Sequence, residues 1–290
     1  MTMSASNNFI ISFDELVKQA YQGEMLLNGT VRTKRGVKGK THEFPVMDQV
    51  LATKKQRLAQ LVTSDPNQDN VKCDLYDWNA SAYSDIMDID KLAYDERNEL
   101  AKAVAKGYGR RMDQIIVDAL IAKNNEYVVG TDVGGTSSGM NVDKILRTKR
   151  AMDENNVPDD GNRFFIMSAG SLETALKEQQ IGDANYNIIR AIYEGKLPEY
   201  AGFKFKIMGN RREGGLPVSG TVRDNFAYHK DAVGQAVGTD LPIKIDWIPE
   251  KASWLINKMF CAGAVTIDDL GVYKVQTTEE SLGQSSRAKK

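Results

Sequence analysis

Apolar and polar residues recur with a helical period between positions 95 and 124. Steps of three and four residues separate the apolar positions, so one face of the predicted helix is apolar and the opposite face is charged. These apolar positions are Leu100, Val104, Tyr108, Met112, Ile115, Ile116, Ala119 and Leu120. About thirty helical residues extend for roughly 45 Å. A narrow apolar stripe on so long a helix needs a partner surface, which we expect to be a long sheet.

Two glycines, Gly107 and Gly109, lie inside this predicted helix. Each costs up to about 1 kcal/mol relative to alanine in a helix interior. They either add flexibility or allow another backbone to lie close to the helix, and the sequence leaves both interpretations open.

Strand-like patterns at the end of the sequence supply the predicted partner sheet. The segment IKIDWIP alternates, with Ile243, Ile245 and Trp247 on one face. Further apolar strands are expected at 254–261, 264–267 and 272–275. The middle of the chain predicts a mixture of short elements: a buried strand in FFIMSA, a strand at 203–208, and a strand that passes into a short helix in NFAYHKDAVGQAVG. It also predicts a helix at 142–154 with Val142, Ile145, Leu146, Lys149 and Met152 on one face.

A strongly basic segment lies between residues 28 and 64. Alternation in TVRTKRGVKGKTHEFPV predicts a two-stranded hairpin with its turn at 36–39. Neither strand has enough apolar residues to bury a face, and an isolated two-stranded ribbon is marginally stable in water. The segment is therefore either a solvated basic loop or a ribbon that lies on another molecule. The candidate contact residues are Arg32, Lys34, Arg35, Lys38, Lys40, Lys54, Lys55 and Arg57.

The charge balance reverses between residues 65 and 90, where acidic residues stand almost alone against Lys72. We expect them to pair with the basic segment, either within one chain or between neighbouring copies. Exposed pairs contribute roughly 0–1 kcal/mol each, so their main effect is on the choice of partner and register. The candidate acidic partners are Asp65, Asp69, Asp74, Asp77, Asp85, Asp88 and Asp90.

Bulk composition narrows the class of protein. The length suggests about two domains, and the formal net charge of −1 gives no overall attraction to nucleic acid or membranes. No apolar stretch is long enough to span a bilayer, and the first residues lack the pattern of a signal peptide. Cys73 and Cys261 lie far apart and are predicted to be reduced thiols, which indicates a cytosolic chain.

The sequence contains no convincing catalytic motif. The glycine-rich segment NEYVVGTDVGGTSSG lacks both the Gly-Lys-Ser/Thr end of a Walker loop and the GxGxxG pattern, so we interpret it as a flexible connector. His42 and His229 are the only histidines, and neither has cysteine or carboxylate neighbours at ligand spacing. We therefore predict no enzyme, no metal site and no cofactor. Nucleotide binding in a titration would contradict this interpretation.

Four segments, in this order, resemble the major capsid proteins of tailed bacteriophages with the Hong-Kong-97-type fold, and most closely the coat proteins of short-tailed phages. The extended loop of that family is similar to VRTKRGVKGKTHEFPVMDQ, including its GK-x3-FPV exit. The spine helix resembles YDERNELAKAVAKGYGRRMDQIIVDAL, with a glycine-then-aspartate pattern at Gly109 and Asp113. The start of the axial domain resembles ILRTKRAMDENNVPDDGNRFFIMS, and the closing strands resemble FCAGAVTIDDLGVYKVQ.

The resemblance implies an α+β fold with five parts. These are an amino-terminal arm and short helix at 1–27, an extended loop at 28–64, a peripheral domain at 65–130 and 241–262 with the spine helix at 95–124, an axial domain at 131–240 and 263–276, and a flexible tail at 277–290. In this family the extended loop lies across a neighbouring subunit, which accounts for a ribbon without a core of its own. The absence of a recognisable long scaffold segment implies a separate scaffolding protein.

The resemblance also implies a function. The chain is expected to assemble into the hexamers and pentamers of an icosahedral head in the bacterial cytoplasm, with portal and cement proteins as further partners. The head would enclose double-stranded DNA without sequence-specific binding, and no membrane is involved. One alternative is an encapsulin-like shell of the same fold, distinguished by a protein cargo. Another is a nucleic-acid-binding module that uses the basic loop, which predicts a steep salt dependence and no large assembly.

Overall fold

The computed structural model of the chain describes residues 23–58, 60–61, 63, 65–89, 95–123, 127–177, 199–211 and 213–279. The arm at 1–22, Asp90, Asn124 and the tail from 280 therefore lie outside the described residues. The helices of the described part are α1 (Ile86–Ile89), α2 (Glu96–Ala122), α3 (Val142–Glu154) and α4 (Ala169–Lys177). Its strands are β1 (Arg32–Arg35), β2 (Thr41–Met47), β3 (Gln68–Asp74), β4 (Tyr76–Asp85), β5 (Val128–Val129), β6 (Arg163–Ser168), β7 (Glu199–Tyr200), β8 (Phe203–Met208), β9 (Val218–Ser219), β10 (Val222–His229), β11 (Val233–Asp240), β12 (Lys244–Ile248), β13 (Ser253–Thr266) and β14 (Val272–Thr278).

The chain folds into two compact units. Of the described residues, the smaller unit contains 79–89, 95–108 and 241–259, and the larger unit contains the remainder. Helix α2 and strands β4 and β13 each have residues in both units. The elements mix helices with both parallel and antiparallel strand pairs, as the predicted α+β class requires.

A seven-stranded sheet forms the centre of the larger unit as described, with strand order β5-β14-β10-β6-β8-β7 and β9 beside β10. Strand β6 is buried at every residue. Phe165 and Met167 pack in one cluster with residues of α3 and α4. Phe164 and Ile166 pack in a second cluster with residues of α2. Helices thus cover both faces of this strand, which explains why its sequence is a continuous apolar run.

Helix α2 extends for 27 residues, close to its predicted limits. In the larger unit every residue from 112 to 117 is buried. Ile116 and Leu120 pack in the cluster beneath the seven-stranded sheet. Gln235 and Thr266 of the second sheet donate side-chain hydrogen bonds to carbonyl groups of the same helix segment. The expectation of a narrow apolar stripe is therefore wrong for this half of the helix, because elements of two sheets pack against it.

The second sheet has the order β1-β11-β13-β12, and β4 also pairs with β13. In the larger unit β1 is parallel to β11, and β11 is antiparallel to β13. The short helix predicted after the strand in NFAYHKDAVGQAVG is reduced to a 3-10 turn at Lys230–Ala232. The residues after this turn form β11 instead, because strands pair with them on both sides.

In the smaller unit, β12 pairs antiparallel with the first part of β13, from Lys244 opposite Asn257 to Ile248 opposite Ser253. Aromatic contacts then bind the first half of α2 to β13. The Arg97 guanidinium lies 5.6 Å from the ring centre of Trp254, and the Lys258 amine lies 4.5 Å from that of Tyr108. Such contacts contribute roughly 0.5–1 kcal/mol each at exposed sites.

The buried face of α3 differs from the predicted one. Val142, Ile145 and Met152 are buried as expected, but Leu146 is exposed. Lys144 is fully buried instead. Its amine donates to the carbonyl oxygens of Ser138, Gly139 and Gln276 at 2.8–2.9 Å, and burial lowers its pKa to about 8. A prediction from helical periodicity places lysine on the exposed face, because periodicity carries no information about the carbonyl groups that accept these three hydrogen bonds.

The end of β14 is held by a polar cluster. The carboxylate of Glu279 accepts hydrogen bonds from Ser168, Ser171 at 2.7 Å and Arg223 at 2.7 Å. Burial opposes ionisation of this carboxyl, but these donors outweigh it and lower the pKa of Glu279. The predicted flexible tail therefore begins too early, since Thr277 is buried within β14 and Glu279 is fixed by its partners.

Candidate assembly interface

Strands β2 and β3 form a two-stranded antiparallel ribbon, from Thr41 opposite Asp74 to Met47 opposite Gln68. The predicted hairpin with its turn at 36–39 is wrong. Strand β1 pairs with β11 instead, with Arg32 opposite Gly234 and Arg35 opposite Val237. The glycine-rich segment at 36–39 therefore connects the second sheet to the ribbon. Alternation within each segment shows that it is extended but not which strand it pairs with, so the sequence cannot distinguish a hairpin from two separate long-range pairings.

The base of the ribbon is packed on the chain's own sheet. Phe44, Cys73 and Leu75 are buried in a cluster with Ala236 of β11. The carbonyl oxygen of Asp74 lies so close to Gly263 that any Cβ at that position would clash with it. Glycine in β13 thus permits the close approach of the ribbon backbone. The base is therefore part of the fold of the larger unit.

The tip of the ribbon, residues 48–67, has the opposite character. Every described residue of the tip except Pro66 is exposed. Its apolar side chains are exposed as well, at 62% for Val50, 75% for Leu51, 95% for Leu58 and 69% for Leu61. Large apolar side chains grouped on an exposed segment are typical of a contact surface with another molecule.

The structure places the predicted basic residues at three separate locations. Arg32, Lys34 and Arg35 lie on β1. Lys38 and Lys40 lie in the connection to the ribbon, and Lys54, Lys55 and Arg57 lie in the tip. All eight are exposed. They form a dispersed charge along the ribbon and its root rather than one compact patch.

The predicted acidic partners are exposed too, wherever their side chains are described. Asp65 is in the tip, Asp69 and Asp74 are on β3, and Asp77 and Asp85 are on β4. The side chain of Asp88 and the whole of Asp90 lie outside the description. Within the chain, no ion pair joins any of the eight predicted basic residues to those predicted acidic partners whose side chains are described. Pairing between neighbouring copies stays a prediction.

The spine-helix residues occupy two environments. Val104, Met112, Ile115 and Ala119 are buried. Leu100 and Tyr108, in the smaller unit, are half-buried.

Sequence reasoning missed the role of Asp113 in the larger unit. Its fully buried carboxylate accepts hydrogen bonds from the backbone N–H groups of Leu26 and Leu27 at 2.9 Å. It also forms an ion pair with Arg211 at 2.9 Å. One turn earlier, a Cβ at Gly109 would lie 3.0 Å from the Cβ of Met25. For Gly109, close approach of another backbone is therefore the correct interpretation, and its spacing from Asp113 was the available signal.

The described residues contain no group of three or more histidine, cysteine or acidic side chains that could hold a metal ion. Cys73 and Cys261 are both free. Burial raises the pKa of each thiol to about 11, which disfavours the reactive thiolate. Of the helices described, none is long and apolar enough to cross a membrane.

Comparison with known proteins gives the family. The family model described as phage capsid protein matches residues 5–279. The chain belongs to this family. It is a structural protein of the virion, a major capsid protein that assembles with itself into the shell of the head. The family assignment does not favour the cargo-shell and nucleic-acid-binding alternatives. No curated protein matches the chain.

Solved structures show the same fold at low sequence identity. The capsid of the cyanophage P-SCSP1u has a TM-score of 0.74 and 12% identity over 94% of this capsid protein and 94% of that chain. The head of the Helicobacter pylori bacteriophage KHP40 has a TM-score of 0.74 and 11% identity over 95% and 97%. Mycobacterium phage Che8 has a TM-score of 0.68 and 16% identity over 93% and 98%. The predicted family and fold class are confirmed.

Proposed function

We propose that this capsid protein closes its shell by laying the tip of the β2–β3 ribbon on a neighbouring copy. One observation carries the proposal: the ribbon is anchored at its base yet exposes Val50, Leu51, Leu58 and Leu61 at its tip. Leaving four such side chains in water costs free energy that burial against a neighbour recovers, at roughly 25 cal/mol per Å². The basic residues of the tip would then select the partner and fix its register.

The finer organisation follows the same family pattern. The subunits form hexamers and pentamers, in which each contact recurs by symmetry, so that a weak contact counts many times. Residues 65–130 and 241–262 act as the peripheral domain, and residues 131–240 and 263–276 as the axial domain around the centre of each capsomer. The role of the chain is structural and not catalytic.

Further partners belong to the same proposal. A separate scaffolding protein guides assembly in the cytoplasm of the host bacterium, and portal and cement proteins complete the head. The shell encloses double-stranded DNA without reading its sequence, which the dispersed basic residues and the near-zero net charge support.

The test replaces Val50, Leu51, Leu58 and Leu61 together by serine. The variant is expected to remain folded, because these side chains contact little of their own chain, and to form no closed particles in electron micrographs. Deleting 32–40 is a poorer test, since it removes β1 from the second sheet. The matched control replaces Gln49 and Asn67, two exposed polar residues of the same tip, by serine and should assemble normally. Normal particles from the fourfold variant would refute the proposal.

A further inference from the structure

Strand β12 leaves one backbone edge unpaired in the part of the chain that the structure describes. It pairs with β13 alone. The residues from Lys244 to Trp247 are all exposed, including 42% of Ile245 and 39% of Trp247. An exposed apolar edge strand is a template for another strand. In a protein that forms shells, this edge needs a defined occupant.

We propose that β12 pairs antiparallel with β12 of a second copy, about a two-fold axis that passes midway between the two Ile245 residues. This proposal rests on the shell function proposed above and adds a second contact to it. The sequence of the strand supplies the argument. In this register Lys244 lies opposite Asp246 of the second copy, and the symmetry repeats the pair on the other side of the axis. Ile245 lies opposite itself, and Trp247 lies opposite Ile243.

The neighbouring registers are worse. A register centred on Asp246 sets two carboxylates directly opposite each other. A register centred on Lys244 sets two ammonium groups directly opposite each other. Like charges in directly opposed positions destabilise a strand pair. An axis between two residues sets each charged side chain opposite an apolar one. Among these registers, only the one centred on Ile245 pairs opposite charges.

The surrounding residues fit the same arrangement. Within the chain, Trp247 lies opposite Trp254, with ring centres 5.3 Å apart, so its ring is already oriented. Its exposed side is free to cover Ile243 of the second copy. Pro242 and Pro249 flank the strand and limit the pairing to its length, because proline has no N–H to donate.

The contact is small. A pairing of two such short strands buries far less than the roughly 1,200 Å² of a stable protein–protein interface. We therefore expect it to be occupied in assembled particles, where other contacts hold the copies together, and to be absent in dilute subunits.

Disulfide formation tests the register. Directly opposed side chains have Cβ atoms about 4.5–5.5 Å apart, close to the distance that a disulfide spans. Particles of the full chain carrying Ile245→Cys should therefore give covalent dimers on mild oxidation. Particles carrying Asp246→Cys alone should not, because that position is offset from its symmetry mate by two residues. Mixed particles containing Lys244→Cys and Asp246→Cys chains should again give dimers, and the unmodified chain controls for the native thiols.

Charge exchange tests the pairing independently. Asp246→Lys should reduce the yield of particles several-fold, and adding Lys244→Asp on the same chain should restore most of it. A doubly exchanged chain that assembles as poorly as the single variant would overturn the proposal. So would particles of the Ile245→Cys chain that form no dimers, which is the result expected if another segment or another protein occupies the edge.

The two proposals fail differently. If the ribbon tip does not mediate assembly, the serine variant of the tip forms particles, and the Ile245→Cys dimers are unaffected. If β12 does not pair with itself, the tip variant still fails to assemble, and the dimers are missing from otherwise normal particles.

Discussion

The middle of α2 and the tip of the ribbon differ in the burial of their apolar side chains. From Met112 to Leu120, the helix buries them against strands of the same chain. The tip exposes Leu51, Leu58 and Leu61. Polar groups follow the same division, since Asp113 has partners inside the chain, whereas Lys54 and Lys55 have no ion pair within the described residues.

The difference separates two tasks. Contacts completed within one chain stabilise the fold, so substitutions there should lower the free energy of unfolding. Under the proposed function, contacts left incomplete are completed by another copy, so substitutions there should change assembly and leave the folded subunit intact. Substitutions in the two regions therefore test this division.

Met112→Asp should prevent folding. Met112 is 2% exposed, and the substitution buries a carboxylate that has no partner, which costs more than about 4 kcal/mol. Expression of the variant should give insoluble or unfolded protein by circular dichroism. Met112→Leu, a swap of similar volume, is the control and should cost less than about 1.5 kcal/mol. A soluble native-like aspartate variant would show that this face of the helix is not enclosed.

Asp113→Ala should destabilise the subunit by about 3–5 kcal/mol. The substitution leaves the buried Arg211 without its counter-ion, and removing one partner of a buried pair is strongly destabilising. Denaturant unfolding measures the loss. Asp118→Ala is the matched control on the same helix, because Asp118 is exposed and accepts a single hydrogen bond from Gln114. Equal losses in the two variants would mean that the tie to Leu26 and Leu27 contributes little.

The elements that sequence reasoning predicted are those whose signal is local. The helical period from Leu100 to Leu120 and the apolar run of β6 both reflect burial patterns that neighbouring residues share. The family resemblance then gave the order of these elements, and with it the fold.

The errors lie where a distant partner decides the structure. The pairing of β1 with β11 depends on residues far along the chain, and so does the burial of Lys144 beneath the carbonyl group of Gln276. The candidate interface stays a prediction. The sequence predicts a ribbon without a core of its own, but the base of the ribbon is buried against β11, and the anchoring contact between Asp74 and Gly263 has no local signature.

Glu279→Gln should lower stability by about 1 kcal/mol at neutral pH, because a hydrogen-bonded carboxylate is replaced by a neutral amide. The hydrogen bonds lower the pKa of Glu279 in the folded state. Its contribution is therefore present above the usual pKa of glutamate and is lost as the pH falls through the lower folded value.

Thermal unfolding of the Glu279→Gln variant at a series of acidic pH values should accordingly show a shallower decline than the parent chain. The control is Glu173→Gln, which alters only the exposed pair with Lys177 on α4. Identical pH profiles for the parent and the Glu279→Gln variant would show that this cluster does not hold the end of β14 through its charge.

Lys54→Glu should leave the folding free energy within about 0.5 kcal/mol of the parent value, because the side chain is exposed and makes no ion pair among the described residues. Assembly should respond differently, because in the proposed arrangement a reversed charge in the tip meets the acidic residues of a neighbouring copy. We expect assembly of the variant to be slower at low salt, and its rate to recover as added salt screens the repulsion. Light scattering measures the rate of assembly. Arg147→Glu, on the exposed face of α3, is the matched reversal and should assemble at the parent rate. Equal slowing by both variants would mean that overall charge, and not the position of the tip, controls the rate, and the contrast between helix and tip would then rest on its apolar residues alone.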